Sequence, residues 1–373
     1  MTYILPLQLY IAVKGLSVLA GCAGKDETGE TSDTSFTDAL MEGITLTDTN
    51  EDGDYDEASL EDGASIQYAI DSLAQDEDGI SRGKVTLLGG QYDDGFELVS
   101  GDNITLTATG DSYIESIGGT SATVTANGAT LTITGNDKLF FDGMATDTGI
   151  AATNSTVSVT GTSFDNLAVG LGIYGGSLTA TDVTLTQIHS FGLCSTTQAD
   201  LTLARFNIED GLMNSEMTSA ISATGVHTFI LKDSRIIDQS SQDDTLSISA
   251  DYLDIIGNVI AHNISQEACV DSFSGEYIPD WSDYKYSLFQ NNAIHDNMCG
   301  TTAPVVLNAS GEVLLDHNNV VDNRSVTGTN ETAIDARNGQ DTAGTGHITV
   351  SNNIVSGNID TSSCAILTTE GLN

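Results

Sequence analysis

Basic residues are nearly missing from this 373-residue chain: 11 Lys and Arg stand against 53 Asp and Glu, a formal charge of −42. Such a surface repels phosphate backbones, which sets nucleic acid aside as a partner. Proline is as scarce, with 3 residues, and long stretches of good helix formers are missing. A helical architecture is thereby excluded. What remains, 38 glycines among abundant Thr, Ser, Asn and Asp, favours short strands joined by polar turns. The composition is that of an all-β protein. Cysteine is limited to 5 residues, at spacings that fit no zinc site. The uninterrupted apolar run at the N-terminus also falls short of the ~18 residues that a transmembrane helix needs.

Against these absences stands a recurring column pattern. Alternating triplets begin at Val157, Leu178, Leu201, Phe229, Leu253, Ser287, Val313 and Ile348. The copies are separated by 21, 23, 28, 24, 34, 26 and 35 residues. Five residues beyond each triplet stand Phe164, Leu185, Ile208, Ile236, Ile260, Ile294, Val320 and Val355, all large and apolar. Period-2 alternation is the mark of a strand, and the odd five-residue step implies a bend between two short strands. A third strand follows in each copy, as in Ala220-Ile221-Ser222, Val305-Val306-Leu307 and Ala365-Ile366-Leu367. Weaker copies begin at Val85, Ile104 and Leu131. Variable spacing around fixed columns confines insertions to turns, as in a solenoid whose coils stack ~4.8 Å apart. Two asparagine columns keep the same register: Asn258, Asn292, Asn318 and Asn353, then Asn263, Asn297, Asn323 and Asn358. Their expected role is structural, with amides hydrogen-bonded from coil to coil at bends of left-handed backbone.

A stack of this kind needs a cap. Residues 64–75 provide a short helix with Ile66, Ala69, Ile70 and Leu73 on one face. The run SIQYAIDSLAQDEDG, then the strand Val85 to Leu88, Gly89-Gly90 and Tyr92, resembles the opening of the pectate-lyase-like superfamily. The resemblance covers about residues 64–373 and implies a right-handed parallel β-helix solenoid with a short N-terminal capping helix.

Ahead of the cap, residues 1–21 are mostly apolar and end in Leu19-Ala20-Gly21, followed by Cys22. This resembles the lipobox of bacterial lipoproteins. It implies a signal peptide over 1–21, lipidation of Cys22, and export to the outer membrane or cell surface with the lipid as the one membrane contact. Lys14 departs from the pattern by interrupting the apolar run. Residues 26–63 hold 14 acidic residues and no basic one, so 22–63 reads as a flexible acidic tether.

Chemistry has three candidate seats. Asp48, Asn50, Asp52 and Asp56 alternate around Gly53 and resemble the calcium loops of EF-hand and thrombospondin type 3 repeats. Ser59 replaces the bidentate Glu at the twelfth position, so the segment is either a modest calcium site or an ordinary solvated linker. The insertion 272–287 gathers Trp281, Tyr277 and Tyr284 with Asp280 and Asp283. These either stack on sugar rings and bind hydroxyls or fold back onto the rod. Cys269 and Cys299, in adjacent coils, either form a disulfide or are buried as small apolar groups; Cys194, Cys269 and Cys364 share one column in the repeat register.

The lyases and polygalacturonases of the resembled superfamily need a basic residue near a carboxylate cluster. The only echoes are Asp316-His317 and Gly346-His347-Ile348, at ordinary repeat positions. No catalytic residue is assigned. The leading expectation is a surface-anchored module that binds or displays toward polysaccharide or another cell-envelope partner. The alternative is a polysaccharide lyase or glycoside hydrolase.

Overall fold

A computed structural model of the chain describes residues 42–50, 54–73, 79–93, 95–116, 122–196, 198–210, 217–274, 287–300, 303–309, 312–325, 332–338, 347–363 and 367–370. They form a right-handed parallel β-helix whose strands run in register from coil to coil. The triplets make one sheet. Val157 pairs with Leu178, Leu178 with Leu201, Leu201 with Phe229, and Phe229 with Leu253. Ser287, Val313 and Ile348 continue the row. At the other end Ile104 and Leu131 extend it from Val157, whereas the expected copy at Val85 is out of step by two residues: Val85 pairs with Leu106, and Gly83 is the partner of Ile104.

The apolar column defines a second sheet. Phe164, Leu185, Ile208, Ile236, Ile260, Ile294, Val320 and Val355 pair in that order, and all but the last are fully buried. Tyr92, Ile114 and Phe141 precede Phe164 in the same line. A third sheet closes the coil through Leu193, Ile221, Leu246, Val270 and Val305. Alternation aims one residue of each pair inward, so every coil adds a thin apolar layer to one continuous core. The expected third strand at Ala365-Ile366-Leu367 is corrected at its end: Leu367 pairs with Ile348 and so belongs to the triplet sheet, while Ala365 and Ile366 lie outside the described residues.

The cap forms where the apolar spacing placed it. Helix α1, Ile66–Asp71, buries Ile66, Ala69 and Ile70, and Ser65 caps it by accepting the Tyr68 N–H at 3.2 Å.

The tether boundary needs correction. Ile44–Thr47 and Glu57–Leu60 pair as an antiparallel hairpin, and Glu57–Leu60 then lies parallel on Arg82–Leu87. The ordered stack thus begins within the segment assigned to the 22–63 tether. Ala58 and Leu60 are buried, and Ile44 and Leu46 pack against the core. Averaged over a long window, the acidic residues concealed two four-residue alternations.

The asparagine columns are polar spines inside the wall. Oδ1 of Asn292 accepts both the backbone N–H and the Nδ2 of Asn258, each at 3.0 Å. Its own Nδ2 donates to Ile255 O at 2.8 Å and to Asn318 Oδ1 at 2.9 Å. Asn318 repeats the pattern on Asn353, as Asn263 does on Asn297 and Asn297 on Asn323. The asparagines themselves are not left-handed. That conformation falls one residue earlier, at Gly257, Asn291, His317 and Asn352 (φ 52–72°), and it turns the following amide inward.

Cys194 and Cys269 do not share a column. Cys194 follows the inward Leu193 and pairs with Ser222 on the outer surface, whereas Cys269 precedes the inward Val270. Cys269 is joined to Cys299 by a disulfide spanning 30 residues of sequence, which ties neighbouring coils. Cys364 lies outside the described residues.

Removing one rung tests the spine. Asn292→Ala strands the Asn258 N–H and the Ile255 carbonyl, and it is expected to cost about 3 kcal/mol in urea denaturation. The exposed Thr179→Ala on the triplet sheet should stay within ~0.5 kcal/mol of the parent.

Candidate functional site

The outer surface of the column sheet carries aromatics where the strands begin to stack. Phe140 and Phe141 are consecutive, so alternation sends one out and one in. Phe141 stacks on Phe164 inside the core, with centroids 4.7 Å apart. Phe140 stacks outside on Tyr113 of the preceding coil, at 4.9 Å and an interplanar angle of 17°. Tyr113 is 39% exposed. Along this outer row the order is Gln91, Tyr113, Phe140, Ser163, Thr184. The step from Phe140 to the small Ser163 leaves the far face of the phenyl ring without an aromatic neighbour in the row. Beside it runs a carboxylate row, Glu115, Asp142 and Asp165, one per coil. Gln91 Nε2 donates to Glu115 Oε1 at 3.1 Å, and the Thr186 hydroxyl donates to Asp165. An aromatic shelf edged by hydrogen-bond acceptors results.

Two other polar clusters stand out. Asp316 collects hydrogen bonds from Ser351 Oγ at 2.6 Å, Asn352 Nδ2 at 3.1 Å and Gln290 Nε2 at 3.4 Å, and it faces His317 Nδ1 at 2.6 Å. Burial works against its charge, but the hydrogen bonds from Ser351, His317 and Asn352 outweigh it and hold the carboxyl below its ordinary pKa. His317 is the exposed partner of this pair. On the triplet sheet Lys232 Nζ lies 3.9 Å from Asp254, and burial followed by the Asp254 contact raises the pKa of Tyr252.

Asp244 differs from both. It is 8% exposed and accepts the Ala268 N–H at 2.8 Å. Burial, then the charge of Asp271, pushes its pKa up to about 7.

The expected sites fare unevenly. Asp48, Asn50 and Asp56 lie in the hairpin connection, and Asp52 is outside the described residues. Asp56 Oδ1 accepts the Thr49 N–H at 3.0 Å and Oδ2 accepts its hydroxyl, hydrogen bonds that hold the carboxyl below its usual pKa. A calcium ion there would have to compete with Thr49 for that carboxylate. Cys22, Trp281, Tyr277, Tyr284, Asp280 and Asp283 lie outside the described residues. Cys269 and Cys299 are brought together. Sequence reasoning missed Tyr113 and Phe140; the signal was an aromatic on the outward phase of two strands in register.

Among the described residues, no helix is long and apolar enough to cross a membrane. No family model and no curated protein matches the chain. Three solved structures are similar in architecture. The mannuronan C-5 epimerase AlgE4 A-module of Azotobacter vinelandii is 14% identical with a TM-score of 0.37, over 82% of this chain and 95% of its own. The AlgE6 A-module of the same organism is 14% identical with a TM-score of 0.34, over 77% and 81%. The Dettilon tailspike protein is 12% identical with a TM-score of 0.32, over 77% and 62%. At these values no residue role passes from those proteins to this one.

Asp244 generates a pH prediction. Its folded pKa lies above the ordinary 3.8, so the folded chain keeps a proton that the unfolded chain releases. Its contribution is therefore most favourable below pH 4 and is lost as pH rises towards 7. Asp244→Asn should melt a few degrees higher than the parent at pH 8, and thermal melts should show that gap shrinking towards pH 4.

Proposed function

We propose that this chain is a surface-anchored β-helix that binds neutral polysaccharide on the outer face of its column sheet. The observation that carries the reading is the Tyr113–Phe140 stack facing solvent beside the Glu115, Asp142 and Asp165 row. A pyranose presents an apolar face of C–H groups and a rim of hydroxyls. Phe140 offers the matching ring face above Ser163, with room set by the coil spacing of ~4.8 Å. The carboxylates accept hydrogen bonds from the hydroxyls. The formal charge of −42 argues against acidic polymers, which the same carboxylates would repel. A linear polymer also suits a rod whose surface chemistry repeats coil by coil, and the Trp281 insertion is expected to add aromatic contacts. The anchor in this reading is the lipid on Cys22.

A second reading, carbohydrate cleavage, is favoured by one observation. The hydrogen bonds that fix Asp316 orient it on the exposed His317 in the manner of an acid–base pair. Release of reducing ends from xylan or β-glucan, abolished by His317→Ala, would support it.

Affinity electrophoresis against soluble β-glucan, xylan and mannan tests the leading reading. Phe140→Ala should weaken retention at least ~10-fold, in line with the loss of one stacked ring. Ser163→Tyr, which fills the shelf, should do the same with the fold intact by circular dichroism. Unchanged retention in both variants would remove the site. The anchor has its own readout: Cys22→Ser is expected to move the protein from the membrane fraction to the soluble one.

A further inference from the structure

One corner of the solenoid holds a group of side chains that neither the shelf nor the core uses. Where the column sheet turns into the next short strand, successive coils place Asp238, His262, Asp296 and Asp322 in the left-handed conformation, at φ 57°, 58°, 55° and 56°. Asparagine and aspartate suit such corners because their short polar side chains tolerate left-handed backbone. His262 departs from that pattern, and the backbone does not require an imidazole there. In the next coil His295, the last residue of the strand Ala293–His295, sits beside Asp296. The His262 N–H reaches the His295 carbonyl at 3.4 Å, which sets the two rings edge to face with centroids 5.8 Å apart. His295 Nδ1 is 2.9 Å from Asp296 Oδ2. One potential ligand atom from each of His262, His295 and Asp296 lies within 4.8 Å of the others, a convergence reached by no other His, Cys, Asp or Glu set among the described residues.

We propose that His262, His295 and Asp296 form a binding site for a first-row transition-metal dication such as Zn2+, with water completing the coordination. Metal–ligand distances of ~2.0–2.2 Å would be reached by rotation of these exposed or half-exposed side chains. Two imidazoles with one carboxylate select zinc, cobalt, nickel or copper over calcium and magnesium, which prefer all-oxygen sets. Arg324 opposes a cation, whereas Asp238 and Asp322 flank the corner on either side and favour one. The site draws ligands from two successive coils, so the bound ion clamps them together. It lies five coils from Phe140, about 24 Å along the rod, and stands independently of the polysaccharide reading.

The full chain, carrying no histidine tag, is titrated with Zn2+ by calorimetry in millimolar Ca2+, which occupies the oxygen-only sites of the acidic surface. One Zn2+ per chain at micromolar affinity is expected. Asp296→Asn and His262→Asn should each weaken it at least ~10-fold, the latter keeping a residue that accepts the left-handed corner. Co2+ should give visible absorption bands that His295→Gln abolishes. Absence of a one-to-one isotherm in Ca2+, or titration of both His262→Asn and Asp296→Asn like the parent, would overturn the proposal.

Discussion

Register between successive coils is the constraint on which this molecule depends. Each coil contributes a thin layer of inward aliphatic side chains, and no single layer excludes water from its own edges. Only when Leu185 sits over Phe164, and Ile208 over Leu185, does the apolar surface close, while the backbone N–H and C=O groups find partners in the coils on either side. A slip of one residue would turn the whole column to solvent. The same constraint makes the high acidic charge tolerable, because alternation holds most of the described carboxylates outside, with Asp102, Asp147, Asp244 and Asp254 as buried exceptions. Arg205 forks onto Asp182 of the preceding coil, with hydrogen bonds of 2.5 and 2.8 Å, and Arg235 reaches Glu209 at 3.3 Å. Two of the few cations are thus spent across coil boundaries.

The buried amide spines solve a second problem set by the same geometry. Between the triplet and column sheets the chain must bend within a single residue, which leaves backbone groups unable to join either ladder. A left-handed residue makes the bend, and the following asparagine turns inward to satisfy the stranded carbonyl of the preceding coil and the amide of its own column. Such a network is favourable only when every member is paired. The described part of each spine meets that condition from Asn258 to Asn353 and from Asn263 to Asn323.

Function on such a rod is assembled from residues that sequence keeps more than twenty positions apart. The aromatic shelf joins Tyr113 to Phe140, and the histidine corner joins His262 to His295. Each coil contributes one or two outward side chains per column, so a site arises wherever adjacent coils offer matching chemistry. Rigidity comes from the stack beneath, which fixes the spacing between contributors.

Much of the fold was legible in the amino-acid sequence. Period-2 triplets, the apolar column five residues later and the helix bearing Ile66, Ala69 and Ile70 each carry their own periodicity, and each lies where that periodicity placed it. The hairpin of Ile44–Thr47 and Glu57–Leu60 was hidden by surrounding charge, and the cysteine column was misread by one position because turns of unequal length shift the count. The Cys269–Cys299 bond was open between two readings until the coils were set side by side. By itself, then, the sequence determined which side chains face inward, because alternation and recurrence are local properties of a strand. Only the tertiary structure decided which outward side chains meet, because neighbours on the surface are set by the stacking of whole coils and not by nearness along the chain.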